Sequence, residues 1–117
     1  MKLLCVGCTH HETPVAVREQ LAFSCAETLK ALAAWRAQRP EIEAVLLSTC
    51  NRVELYCAAA DTELPSAEEI AQFLVAGRSV QAETVLPHLQ SRRGPEAIEH
   101  LFQVAASLDS MVVGEPQ

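Results

Sequence analysis

Apolar positions in this chain fall in short blocks, and their spacing changes from block to block. Leu3-Leu4-Cys5-Val6-Gly7-Cys8 is an almost unbroken apolar run, which predicts a buried strand over 2–8. Thr13 followed by Pro14 predicts a helix start, with Thr13 as cap and Pro14 at the first position, running to about Leu21. Ser24 and Glu27 form a capping-box pattern for a second helix over 25–38, with Leu29, Leu32, Ala33 and Arg36 at helical spacing and Pro40 beyond its end. Ala44-Val45-Leu46-Leu47 predicts a strand over 43–49, and a third strand follows over 53–59. So short a gap makes these two a hairpin with Cys50 at its tip. Ser66 and Glu69 repeat the capping box for a helix over 67–76, with Ile70, Phe73 and Leu74 inward and Gly77 as stop. A weak strand over 85–90 is interrupted by Pro87 and reads as an edge. The last helix, over 95–107, carries an apolar face of Ile98, Leu101, Phe102 and Ala105.

The resulting order is β-α-α-β-β-α-β-α. Without the extra helices this is βαββαβ, a ferredoxin-like α+β arrangement: an antiparallel sheet with helices on one face. Trp35 and Phe73 sit at core spacing and are assigned to packing.

Size and charge narrow the picture. The chain has 117 residues, half of them hydrophobic, enough for one domain with a real core. Its net charge of -6 does not favour broad contact with a polyanion. No apolar stretch is long enough for a membrane span, and the apolar start ends at Thr9-His10-His11-Glu12, too short for an export signal. Five cysteines without such a signal point to reduced thiols and a cytoplasmic location. Cys5 and Cys8 would point to opposite faces of one strand, and no second Cys/His pair has zinc spacing, so no metal site is expected.

Candidate chemistry concentrates at Ser48-Thr49-Cys50-Asn51-Arg52-Val53-Glu54. A thiol at a strand end beside a cation suits nucleophilic attack on a carbonyl, because the thiolate is the reactive form and a positive neighbour favours it. Arg52 either tunes the thiol and binds a carboxylate through its planar fork, or is a surface arginine in a turn. Thr49 and Asn51 either donate to an oxyanion or shape that turn. His10 and His11 follow the first strand and are either a base or substrate ligand or simply solvated; Arg92-Arg93 precede the last helix as either a phosphate contact or a solvated turn; His100 falls on that helix's polar side, where a surface role suffices. With Gly7 the only glycine before residue 77, no dinucleotide fingerprint and no phosphate loop is present.

Ser48-Thr49-Cys50-Asn51-Arg52-Val53-Glu54-Leu55-Tyr56 resembles the signature of the glutamyl-tRNA reductase family. Gly7, His10, Pro14-Val15 and Arg18-Glu19 resemble its opening segment, and Leu108 to Gln117 resembles the segment that closes its catalytic region. The resemblance implies NADPH-dependent reduction of glutamyl-tRNA to glutamate-1-semialdehyde, the first step of tetrapyrrole (porphyrin and haem) synthesis from glutamate. It implies that Cys50 is the nucleophile forming a glutamyl thioester and that His100 lies close to the catalytic centre. It also implies that Thr49, Asn51, Arg52, Ser110, Glu115, Pro116 and Gln117 form the substrate pocket.

The family protein carries a separate NADPH domain and a helical domain through which it forms a homodimer, and a downstream aminomutase is a possible partner. Residues 1–117 are therefore expected to be an N-terminal catalytic domain that holds no cofactor and cannot complete the reduction alone. Two alternatives are a different thiol enzyme, hydrolase or peroxidase, using Cys50, and a non-enzymatic binding module on the same small sheet.

Overall fold

The computed structural model describes the backbone of residues 1–113 and the side chains of residues 1–107. Four strands form one antiparallel sheet: β1 (Lys2–Thr9), β2 (Glu43–Ser48), β3 (Arg52–Ala59) and β4 (Gln90–Arg93), in the spatial order β2-β3-β1-β4. This is the ferredoxin-like order that the βαββαβ reading implies. β1 and β3, the inner pair, run from Lys2↔Ala59 to Thr9↔Arg52 without interruption. β4 is an edge strand, as expected, but it lies later than 85–90. That stretch is instead a short helix, α4 (Ala82–Val85), followed by a 3-10 turn, Leu86–His88. Pro87 sits in the first positions of this turn rather than breaking a strand, because a ring with no N–H costs nothing at a helical start. Val85 is fully buried, and Leu89, just past the turn, packs against the same cluster.

The other helices are α1 (Val15–Leu21), α2 (Cys25–Gln38), α3 (Ala67–Val75) and α5 (Pro95–Val113). Both predicted capping boxes are present. Ser24 and Ser66 each accept from the backbone N–H three residues on, and Glu27 and Glu69 bond back to the cap backbone. Thr13 does not cap α1. Pro14 occupies the cap position, and the Thr13 hydroxyl is buried without a partner. Gly77 takes φ +67, a left-handed conformation that ends α3 at little cost to a residue without Cβ. Arg78 then ties two helix ends together. Its guanidinium donates to the carbonyls of Leu21 (2.8 Å), Ala22 (2.5 Å) and Leu74 (3.1 Å), and it stacks 3.8 Å above the Phe23 ring. The carbonyls of Leu21 and Leu74 belong to the last turns of their helices, where neither is bonded along the helix, and that of Ala22 lies just beyond.

Strand alternation divides the core in two. Leu4, Val6 and Cys8 of β1, with Val53, Leu55 and Cys57 of β3, face α1–α4 and build the large cluster. Trp35 and Phe73 meet there edge to face at 5.2 Å, and Trp35 Nε1 donates to the Ile42 carbonyl. Leu29 and Arg36 of α2 point to solvent, so its buried side is centred on Trp35 rather than on the expected stripe. The opposite sheet face carries Leu3, Cys5 and Tyr56, covered by Ala97 of α5. Helices therefore lie on both faces of the sheet, not one.

The last helix also turns the other way from its hydrophobic pattern. Ala97 and Val104 are buried and His100 is half-buried, whereas Ile98, Leu101 and Phe102 are 40%, 40% and 71% exposed. Two features of the sheet explain this. Tyr56 and Leu3 leave room for a small residue at close approach, and a buried carboxylate on β3, Glu54, needs a polar partner that only the His100 side of the helix offers.

Candidate active site

β3 is two strands in one. Val53, Leu55 and Cys57 serve the large core, and Arg52, Glu54 and Tyr56, at the alternate positions, form a polar stripe under α5. Glu54 is fully buried. Tyr56 donates its hydroxyl to Oε1 at 2.9 Å, Arg52 Nη1 lies 3.4 Å from the same oxygen, and His100 Nε2 lies 2.5 Å from Oε2. A buried carboxylate without such partners is costly enough to disfavour folding; here every side of it is answered by a donor or a cation. Gly7 makes the arrangement possible. It stands opposite Glu54 in the β1–β3 ladder, and a Cβ there would lie 2.1 Å from the Val53 carbonyl oxygen and 2.8 Å from Glu54 Cγ.

Cys50 sits between β2 and β3, at the expected hairpin tip, and is exposed. Its loop is held from several sides. Thr49 N–H donates to the Arg52 carbonyl (2.8 Å), Asn51 N–H to Thr49 Oγ1 (3.1 Å), and His10 N–H to the Asn51 carbonyl (2.7 Å). Arg18 reaches over from α1, donating through Nε to the Thr13 carbonyl at 3.2 Å and through Nη1 to the carbonyl of Cys50 itself. Of the five free cysteines, only Cys25 and Cys50 are exposed. Burial pushes the Cys5 thiol up to about 12 and the Cys57 thiol up to about 11, and raises Cys8 as well. The buried thiols are thus held neutral and unreactive.

A cleft of about 290 Å³ opens beside the polar stripe, walled by Thr9, His11, Arg52, Arg92, His100 and Gln103. Arg92 pairs with Glu12 at 3.7 Å on its rim, so this arginine belongs to a strand and an ion pair rather than to a free turn. Cys50 is not on the cleft wall; Arg52, two residues along, connects the thiol loop to it. The structure thus brings Arg52 and His100 together through Glu54 and keeps Thr49, Cys50 and Asn51 in one loop. The backbone of Ser110 lies in α5 and its side chain falls outside the described residues, as do Glu115, Pro116 and Gln117 altogether. Glu54, Tyr56 and Arg18 are additions that local pattern reading did not single out. A charged residue at a buried phase of a strand was the available signal for Glu54.

The family description "Glutamyl-tRNAGlu reductase, N-terminal domain" matches residues 6–117. The chain belongs to this family. Glutamyl-tRNA reductases similar to it include that of Solibacter usitatus, 50% identical over all 117 residues, and that of Rhodopirellula baltica, 43% identical over the same length. The solved glutamyl-tRNA reductase from Methanopyrus kandleri superposes with a TM-score of 0.62 at 33% identity, covering 97% of this chain. The chain spans 28% of the length of each of the two curated reductases and 24% of the solved one. No helix of the described residues is long and apolar enough to cross a membrane.

Proposed function

We propose that this chain is the N-terminal catalytic domain of a glutamyl-tRNA reductase and supplies its acyl-accepting thiol and substrate pocket. The observation that carries the reading is the placement of Cys50: an exposed thiol on a loop whose backbone is pinned from β1, β3 and α1, two residues from a cation on a buried ionic stripe. Cys50 Sγ loses its proton and attacks the ester carbonyl carbon of glutamyl-tRNA. The tetrahedral oxyanion collapses, the ester C–O bond breaks, the tRNA hydroxyl leaves with a proton, and a glutamyl thioester remains on Cys50. Thr49 and Asn51 offer their side chains as donors to that oxyanion, and Arg52 offers a planar fork to the substrate carboxylate. His100 supplies the proton-transfer group.

Reduction of the thioester to glutamate-1-semialdehyde, opening tetrapyrrole synthesis, takes a hydride from NADPH. The described residues do not fit that cofactor. Gly7 is consumed by strand contact, Gly77 and Gly94 sit in turns, and no glycine-rich loop leads into a helix. The step carried here ends at the thioester, and cofactor binding and homodimerisation belong to the further length of the family proteins. A downstream aminomutase partner and a cytoplasmic setting go with the same reading.

Intact-mass measurement after mixing the chain with glutamyl-tRNA tests the proposal. A glutamyl adduct should form, vanish in Cys50→Ala, and persist when the other four cysteines are replaced. A folded protein that forms no adduct, or an adduct that survives Cys50→Ala, refutes it.

A further inference from the structure

Cys5 is a thiol that the proposed chemistry leaves unused. It is fully buried on β1, on the sheet face that α5 covers. Gly7 lies two residues along on the same face, opposite Glu54, and offers no side chain of its own, so the Glu54 side chain occupies the space above it. His100 reaches the same place from α5. Cys5 Sγ, a Glu54 carboxylate oxygen and a His100 ring nitrogen all lie within 4.8 Å of one another. Spacing along the chain hides this group, because its members come from β1, β3 and α5.

A thiol, an imidazole and a carboxylate converging on one point are a metal-ligating set. Magnesium and calcium take oxygen ligands, whereas zinc accepts sulfur, nitrogen and oxygen together. We propose that Cys5, Glu54 and His100 form a three-ligand site for a zinc-type divalent cation, with its fourth position open to the cleft. Each ligand stands on a strand or a helix, so the fold itself holds the set in place. Tyr56 and Arg52 both approach Oε1 of Glu54, at 2.9 and 3.4 Å, and leave Oε2, the oxygen beside His100, to face the ion. Outer partners of this kind orient a ligating carboxylate. Cys5 and Glu54 are closed to solvent, but His100 lines the cleft of about 290 Å³, which gives the ion a way in and a water room to be the fourth ligand. Zinc bonds of about 2.0–2.3 Å set neighbouring ligand atoms about 3.5 Å apart. The His100–Glu54 contact of 2.5 Å therefore opens by about 1 Å as the ion enters. Without metal, burial holds Cys5 as a neutral thiol; the arriving dication binds the thiolate instead, and the displaced proton passes to solvent. A loaded site also withdraws His100 from any proton it moves. That consequence, unlike the site itself, rests on the proton-transfer role proposed for His100.

The test uses the full chain carrying Cys25→Ser and Cys50→Ser, which removes the exposed thiols. Cobalt(II) is the probe, because a thiolate ligand gives it an intense near-ultraviolet charge-transfer band and a tetrahedral site gives it strong visible bands. One equivalent of cobalt should produce both, zinc should displace it, and magnesium should not. Cys5→Ser should abolish the charge-transfer band. A chain that shows no such band, or that keeps it after Cys5→Ser, overturns the proposal. If Cys5→Ser fails to fold, zinc-edge X-ray absorption of the parent chain decides. One sulfur at about 2.3 Å with nitrogen and oxygen at about 2.0 Å supports the site, and a shell of nitrogen and oxygen alone overturns it. In the native chain, one equivalent of zinc should slow Cys50 acylation by about 100-fold, within the span usual for proton-transfer groups, and Cys5→Ala should remove that inhibition. Zinc bound through Cys5 with acylation unchanged would leave the site standing and refute the proton-transfer role of His100 instead.

Discussion

Replacing Gly7 with alanine tests the link between the sheet and the site most directly. The added Cβ would lie 2.1 Å from the Val53 carbonyl oxygen, 2.6 Å from Glu54 Cα and 2.8 Å from Glu54 Cγ. Comfortable contacts lie near about 3.5 Å, so the overlap exceeds about an ångström against the Val53 carbonyl oxygen and nearly reaches it against Glu54 Cα, backbone atoms that have no rotamer to change. β1 and β3 are the two inner strands, and the neighbouring pairs Val6↔Leu55 and Cys8↔Val53 are buried, so the ladder cannot open towards solvent. Overpacking of a core costs about 1–3 kcal/mol, and a clash with an inner ladder belongs at the upper end, about 3 kcal/mol. For a domain of this size that lowers Tm by about 10 °C. Thermal and urea denaturation measure it, and Cys50 acylation should fall as well, because Glu54 is displaced along with the strand. A Gly7→Ala protein melting within about 2 °C of wild type would refute the close-approach argument.

Other substitutions probe separate parts of the molecule. Arg78→Lys keeps the charge but cannot reach the carbonyls of Leu21, Ala22 and Leu74 together, and should cost about 2 kcal/mol in urea denaturation. A loss below about 0.5 kcal/mol would mean that those carbonyls are served by water. Arg18→Ala frees the Cys50 carbonyl and should slow acylation about tenfold, with Tm changing little and Arg18→Lys partly restoring the rate. Unchanged acylation would remove Arg18 from the positioning of the loop. Alkylation of the native chain should modify Cys25 and Cys50 and spare Cys5, Cys8 and Cys57. Because the folded state raises Cys5 and Cys57 above their ordinary value of 9.0, to about 12 and about 11, the stability they confer is complete below pH 9 and is lost as pH rises through those values. Unfolding free energy that climbs between pH 9 and 11 would contradict this.

Local signals carried most of the fold. Both capping boxes, the hairpin around Cys50 and the left-handed Gly77 are short-range matters of side-chain and backbone chemistry, and they stand where the residues place them. The misreadings have a common origin in tertiary contacts. Residues 85–90 alternate weakly and hold a proline, yet Val85 ends a short helix, Leu86–His88 form a 3-10 turn, and Val85 and Leu89 both reach the large core. Ile98, Leu101 and Phe102 form the apolar stripe expected to be buried and are exposed instead, because the sheet beneath presents Glu54 and selects the side that carries His100. The thiol loop was legible because its residues are contiguous. The His100–Glu54–Arg52 group was not, because its members come from two elements 46 positions apart in the chain.

The division of labour along β3 has a consequence for how this sequence tolerates insertion and deletion. Odd-numbered residues from Val53 to Cys57 feed the large core, while Arg52, Glu54 and Tyr56 feed the site. Side-chain direction has a period of two, so inserting or deleting one residue between Arg52 and Tyr56 would invert the strand from that point on. Charged groups would enter the core and leucine and valine would enter the ionic stripe. Length change in this segment is therefore lethal to stability and chemistry at once, whereas the loop after Ala59, in which nothing alternates between two duties, leaves room for indels.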